Sequence, residues 1–242
     1  MKVSSWQIIK YFGYDFHKFH ANRQRWSWKH WDYMSQVNKQ LKEFRNLTLY
    51  DDEPLDNITF TVFDLETTGF FCNLGDEILA IGATKFNRNR IGFPEQFYEI
   101  IEPVKPMSDF VSKLTGLTHH EVKGGLAFPE GFSKFMSFTE GTVLVAHPAS
   151  FDVQFLQMMT EKWRLKSYHP LAIDQFQLAK SLFPDQRNSL DDLIKQFEIE
   201  TSSRHHALAD AYMTAKVFDN LLDILHEQDL TTWGDLKKFG KM

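Results

Sequence analysis

The sequence predicts an α/β domain, a mixed central sheet flanked by helices, with a helical N-terminal extension. Three observations carry this. Short β-rich runs begin at Ile58, segments of helical periodicity follow them, and residues 1–45 have a composition of their own. At 242 residues the chain is long enough for one α/β core plus an appendage, and short for two enzymatic domains. The 43% hydrophobic and 24% charged content excludes a disordered or fibrous chain.

Residues 1–45 are locally basic: Lys2, Lys10, Lys18, Arg23, Arg25, Lys29, Lys39, Lys42 and Arg45 oppose only Asp15, Asp32 and Glu43. Aromatic residues from Trp6 to Tyr33 are spaced among polar ones as on an amphipathic helix. Two roles fit: a single-strand nucleic-acid path, or a helical cap whose tryptophans pack on the core or a partner. The cap is the favoured expectation. The acidic stretch Asp51-Asp52-Glu53-Pro54 reads as a linker. The resulting division is an extension and linker at 1–55, a main domain at 56–228 and a tail at 229–242.

Within the main domain, Ile58–Asp64, Ile78–Phe86 and Phe97–Ile101 read as a three-strand meander, separated by loops containing Gly69, Gly75, Gly92 and Pro94. Thr142–Ala146 reads as a further buried strand. Helices are expected at Phe151–Lys162, Gln175–Leu182, Ser189–Phe197 and Ala207–Ile224, with Ser189 as an N-cap and Asp192 at the third helical position.

The net charge of −5 gives no global reason to bind a polyanion, so any nucleic-acid site must be local. A single cysteine, Cys72, excludes an intrachain disulfide framework and fits a reducing cytoplasm. No run of about 18 apolar residues and no signal-like stretch occurs, so neither membrane span nor leader is expected.

Chemistry is concentrated in carboxylates. Asp64 and Glu66 stand at i and i+2 where a hydrophobic strand ends, so alternation puts both on one face and turns Leu65 to the other. Two buried carboxylates repel unless cations, protons or hydrogen bonds compensate. Strand-end acids facing solvent are the plain alternative. Asp152 follows the run Val143–Ala146 at a helix start, where the helix dipole alone would favour an acid. Asp210 lies about one turn into a helix with an imidazole just upstream, a combination able to join metal binding to proton transfer. Helical periodicity does not decide between His205 and His206 for that imidazole.

Together these segments resemble the DEDDh exonuclease family, to which the proofreading exonucleases of bacterial DNA polymerase III belong. The motifs are Asp-Leu-Glu-Thr-Thr-Gly at 64–69, His-Pro-Ala-Ser-Phe-Asp at 147–152 with Phe155-Leu156, and His205 five positions before Asp210. The likeness runs from about Ile58 to Asn220, while residues 1–50 and the tail match nothing. It implies a ribonuclease-H-like fold and a metal-dependent 3′→5′ exonuclease that releases nucleoside 5′-monophosphates. It also implies two Mg²⁺ or Mn²⁺ ions on Asp64, Glu66, Asp152 and Asp210, an oxygen donor set suited to hard cations. Asp64 is expected to bridge the ions, Glu66 and Asp210 to complete one shell, and Asp152 to hold the other ion.

By the same resemblance His205 is the general base, which needs a neutral imidazole and predicts loss of activity on the acid side. Leu65, Thr67 and Thr68 are expected to contact the terminal nucleotide through their backbone. Phe151 and Phe155 are candidates to flank its base, with core packing the plainer reading. Pro148 replaces an Asn common in the family and removes a backbone donor; metal binding should survive, and substrate handling is put in question. The expected partner is a nucleic-acid 3′ end, preferably single-stranded DNA, with a polymerase or repair protein a further candidate. Alternatives are an RNA-trimming exonuclease of the same family and a catalytically silent nucleic-acid-binding scaffold.

Other acidic and imidazole groups have plainer readings. His119-His120-Glu121 reads as a loop-to-helix junction, Asp174 as a structural hydrogen-bonding residue, and Asp191-Asp192 as a helix-start charge pair.

Overall fold

The computed structural model of the chain describes residues 5–90, 94–201 and 204–240. Lys2 and Gly92, singled out above, lie outside them. The extension forms Ser5–Lys10 (α1), a π-helical stretch Tyr11–Asp15, Phe16–Lys29 (α2) and Trp31–Glu43 (α3). It packs as a cap on the domain. Phe19, Met34, Val37 and Leu41 are buried in the same core cluster as Phe132 and Phe155, and Trp26 meets Trp163 edge-on at 5.4 Å. Each fully buried side chain of this kind contributes about 1.5–3 kcal/mol.

Phe60–Thr67 (β1), Ile78–Phe86 (β2) and Gln96–Ile100 (β3) form the expected antiparallel meander. Between β3 and the next strand lie Asp109–Thr115 (α4), His119–Lys123 (α5) and Phe128–Phe138 (α6), which periodicity did not reveal. Val143–Ala146 (β4) joins β1 in parallel, Ala149–Lys162 (α7) follows, and Ala172–Asp174 (β5) closes the sheet beside β4. The strand order is β3-β2-β1-β4-β5. Gln175–Leu182 (α8), Leu190–Gln196 (α9) with Ser189 as N-cap, and Ala207–Glu227 (α10) complete the helices expected from sequence.

Alternation along β1 separates two cores. Phe63 and Leu65 join the α6 and α7 side, whereas Phe60 and Val62 join Phe218, Leu221 and Leu222 of α10. Asp64 and Glu66, in phase with Phe60 and Val62, therefore face α10. Gly82 lies opposite Asp64 in the β1–β2 ladder, and a Cβ there would come within 2.2 Å of the Ala207 carbonyl carbon and the Leu208 nitrogen. The missing side chain lets the start of α10 press against the sheet at the level of Asp64.

The linker is more firmly held than a free connection, and the tail, on which the sequence was silent, is helical. Trp233–Gly240 forms a helix (α11) with Trp233 and Leu236 buried in the α10-side core. The linker is held against it: Leu55 N–H donates to Thr231 O at 2.9 Å, and Trp233 N–H to Glu53 O at 2.8 Å. An acidic, proline-containing stretch reads as free chain when its backbone partners lie far along the sequence.

Candidate active site

Three elements bring the acids together. β1 supplies Asp64 and Glu66, and α10 supplies Asp210 from its first turn. Ligand oxygens of these three lie within 4.8 Å of one another; among the described residues no other trio of His, Cys, Asp or Glu comes as close. The first turn of α7 supplies Asp152, which is 3% exposed. Asp174 anchors that turn, accepting the Ser150 N–H at 2.9 Å and, at the start of α8, the Gln177 N–H at 3.2 Å.

Crowding perturbs all three acids of the β1 and α7 group. Burial is the main cause that raises the Asp64 carboxyl well above its ordinary range, followed by the charges of Asp152 and Glu66, with Arg204 opposing. Asp64 nevertheless keeps contact with solvent through the cleft it lines. Asp152 is likewise raised, by burial and then by Asp174 and Glu66, against a backbone hydrogen bond at Leu65. Burial lifts Glu66 to about 7, again opposed by Arg204. Such a cluster gains most from a hard divalent cation, and its donor atoms are all oxygens, so the residues fit that group.

Arg204 went unrecognised in the sequence. Its Nε donates to Asp191 Oδ1 at 2.8 Å, and its Nη1 contacts Asp210 Oδ1, so a guanidinium sits on one of the clustered acids. Its position just before His205 was the available signal. The exposed His205 adopts φ +60° in the turn entering α10, and its backbone N–H donates to Asp210 Oδ2 at 2.9 Å. His206 is the residue capping α10, with its ring stacked on Tyr98 at 4.8 Å between centroids. His205 lines the cleft; His206 does not.

The cleft has a volume of about 750 Å³ and is lined by Leu65, Thr67, Thr68, Pro148 and Phe151 as well as the acids. The threonine hydroxyls are engaged internally: Thr67 Oγ1 donates to Gly69 O at 2.8 Å, and Thr68 Oγ1 to Asp76 Oδ1 at 3.1 Å. Phe155 is a correction. At 1% exposure it lies in the core behind Phe151: the two share one face of α7, and Phe155, a turn further along the axis, is the deeper one. Phe70, Phe110 and Leu114, to which sequence reasoning gave no role, supply exposed apolar surface at the rim.

His147 is an anchor. Its Nε2–H donates to Asn188 O at 3.0 Å, and burial pushes its imidazole down to about 4. Thr118 and Glu121 form a capping box, so His119-His120-Glu121 is a helix start, and Asp192 N–H donates to Ser189 Oγ at 3.3 Å as the N-cap requires.

Comparison with known proteins places this geometry. The RNase_T family model, described as Exonuclease, matches residues 61–218. The PolC-type DNA polymerase III of Caldanaerobacter subterraneus subsp. tengcongensis is 38% identical over 169 residues, covering 69% of this chain and 12% of that protein. Its counterpart from Thermotoga maritima is 32% identical over 194 residues, covering 80% and 14%. The chain thus spans 12% to 14% of the length of these relatives.

Among solved structures, the nuclease domain of 3′hExo, a DEDDh family member bound to rAMP, aligns with TM-score 0.63 at 21% identity, covering 69% of this chain and 93% of that one. E. coli exonuclease I in complex with a dA16 oligonucleotide aligns with TM-score 0.55 at 21% identity, covering 70% and 43%. These likenesses establish the fold. With the matched region spanning every clustered acid and a sheet of the ribonuclease-H-like exonuclease type, the chain belongs to the exonuclease family.

Proposed function

We propose that the chain is a divalent-metal-dependent 3′→5′ exonuclease that releases nucleoside 5′-monophosphates, with single-stranded DNA as preferred substrate and two Mg²⁺ or Mn²⁺ ions as cofactors. The observation that carries this reading is the convergence of Asp64, Glu66 and Asp210 within 4.8 Å, with buried Asp152 beside Asp64. Asp64, Glu66 and Asp210 would hold one cation, and Asp64 with Asp152 the other. Bound there, such cations acidify a water and offset charge on the leaving 3′-oxygen.

The chain's own groups do the rest. A ring nitrogen of His205, exposed in the lining of the cleft, takes the proton of the attacking water. Backbone groups of Leu65, Thr67 and Thr68 orient the terminal nucleotide, since both threonine hydroxyls are already engaged. Phe151, with Phe70 at a ring distance of 6.1 Å, flanks the terminal base. Arg204 holds Asp191 and Asp210 in place and balances part of the cluster's negative charge.

The DNA preference is supported by the names of the relatives at 32% to 38% identity, which are DNA polymerases. They also support a place of action beside replication or repair proteins in the cytoplasm. Among the described residues no helix is long and apolar enough to cross a membrane. The test is mononucleotide release from 3′-labelled DNA and RNA strands of one sequence, with Mg²⁺, with Mn²⁺ and with chelator. Release from DNA that stops with chelator is expected. Faster release from RNA would reassign the substrate, and no release from either strand would leave a binding scaffold.

A further inference from the structure

The extension leaves an unfilled groove of about 910 Å³ between α2, α3 and the segment 163–166 after α7. Its aromatic residues divide into two sets. Trp26 and Trp163 pack on each other, whereas Trp28 and Trp31 are 88% and 70% exposed. Indole rings left this open on a helical cap contribute little to the fold, and they are suited to stacking on planar groups.

The charge of the groove is one-sided. Arg23, Arg164 and Lys166 line it, and no carboxylate does. Arg23 is 4% exposed, and its Nη1 donates to Lys162 O at 3.0 Å. No carboxylate pairs with it among the described residues. A nearly buried guanidinium without a counter-ion, with Arg164 as a charged neighbour, gains from an anion more than a solvated arginine would.

Shared lining residues put one further pocket between the groove and the acid cleft. Lys105 lines both the cleft and a pocket of about 280 Å³ under α2, and Arg23 and Arg164 line both that pocket and the groove. The middle pocket also carries Asp15, Glu77 and Glu161, so attraction for phosphate is concentrated at the groove end. From Asp152 to Lys162, the end of α7, is about 15 Å at the helical rise, and the groove begins beyond it. A stacked strand of ~3.4 Å rise needs more than about four nucleotides to cover that span.

We propose that this groove is a distal binding site for single-stranded nucleic acid, in which Trp28 and Trp31 stack on bases and Arg23, Arg164 and Lys166 take phosphates of the strand whose 3′ end lies at the acid cluster. The proposal rests on the exonuclease reading for the identity of its ligand. It gives the basic extension a task that the sheet alone does not perform, which is holding a long strand while its end is processed.

The test uses the full chain with W28A/W31A and with R164Q/K166Q, each checked for an unchanged melting midpoint. Binding of 5′-labelled dT12 is followed by fluorescence anisotropy in chelator, over a range of salt. Hydrolysis of dT3, too short to reach the groove, is followed in Mn²⁺. W28A/W31A should bind dT12 about tenfold or more weakly, in line with lost stacking. R164Q/K166Q should flatten the logarithmic salt slope by about 1.4, at ~0.7 per phosphate contact on a single strand. Hydrolysis of dT3 should be unchanged in both.

Wild-type dT12 affinity and salt slope in both variants would overturn the proposal, as would a change confined to self-association, which would make a second copy the occupant. If the unmodified chain hydrolysed neither oligonucleotide, the exonuclease reading would fall, while the titration in chelator would still decide the groove.

Discussion

The backbone N–H of His205 donates to Asp210 Oδ2 at 2.9 Å, so the turn that exposes the imidazole and the helix that presents the acid form one hydrogen-bonded unit. The bond uses the main chain, and among the described residues no hydrogen bond holds the His205 ring. Its neighbour His206 is fixed by stacking on Tyr98.

Exchange of the two histidines should therefore have unequal effects. His205→Asn, which tolerates the left-handed conformation, should lower kcat about 10²–10⁴-fold, as for loss of a general base. His206→Ala should cost far less in kcat and more in stability. Steady-state kinetics on one DNA strand at saturating Mg²⁺ measure both, and a severe kcat defect confined to His206→Ala would move the role.

Asp64→Asn should abolish turnover yet raise the melting midpoint of the chelator-treated protein, because it removes a carboxyl whose charged form is disfavoured first by burial and then by Asp152 and Glu66. A gain of ~1 kcal/mol corresponds to about 2–4 °C for a chain of this size. Added Mg²⁺ should stabilise the unmodified protein and leave the variant little changed. Calorimetry with and without metal checks this, and a lower midpoint in chelator would show that Asp64 is not under repulsion.

Arg204→Gln should strengthen Mg²⁺ binding, since the guanidinium on Asp210 competes with a cation for the same carboxylate. It should also weaken the tie between α9 and the turn before α10, lost with the Asp191 contact. Isothermal titration of the metal into each protein distinguishes the outcomes, and weaker binding in the variant would make Arg204 a positioning residue only.

Gly82→Ala should be costly out of proportion to one methyl group, because its Cβ would meet backbone that has no room to rotate away. The overpacking penalty is about 1–3 kcal/mol. Activity should fall further than stability, as α10 and Asp210 are pushed from β1. If the melting midpoint and kcat were both unchanged, the close approach of α10 would not be limiting.

His147 gives a pH dependence with a definite sign. Its folded-state value of about 4 lies below the ordinary 6.5, so the folded chain binds fewer protons in between, and stability should be lost as pH falls from about 6.5 towards 4. Its contribution is on the order of 3 kcal/mol at most. Denaturant unfolding of the wild type and of His147→Gln across that range should give a shallower decline for the variant; equal slopes would contradict the burial of a neutral imidazole.

Much of the site was legible because its logic is local. Two-residue alternation was enough to set Asp64 and Glu66 on one face, and Ser189 announced its helix through the N-cap chemistry seen in the structure. Other parts depend on distant partners. Arg204 acquires its place from Asp191, 13 positions away, and no periodicity reports that contact. Ala172–Asp174 is a strand only because β4 lies beside it. Phe128–Phe138 was hidden by Pro129 and Gly131, although proline is tolerated in a first helical turn and Gly131 makes room for Ile101. For Phe155, spacing puts it on the same helix face as Phe151, and how far along that face the cleft reaches is set by distant packing.

The pairing of residues 53–55 with 231–233 has a topological consequence. It brings the entry to the catalytic sheet and the exit from its last long helix to adjoining points on the surface. A unit whose two attachment points adjoin can be spliced into a host polypeptide as a side loop, leaving the host's own path nearly unbroken.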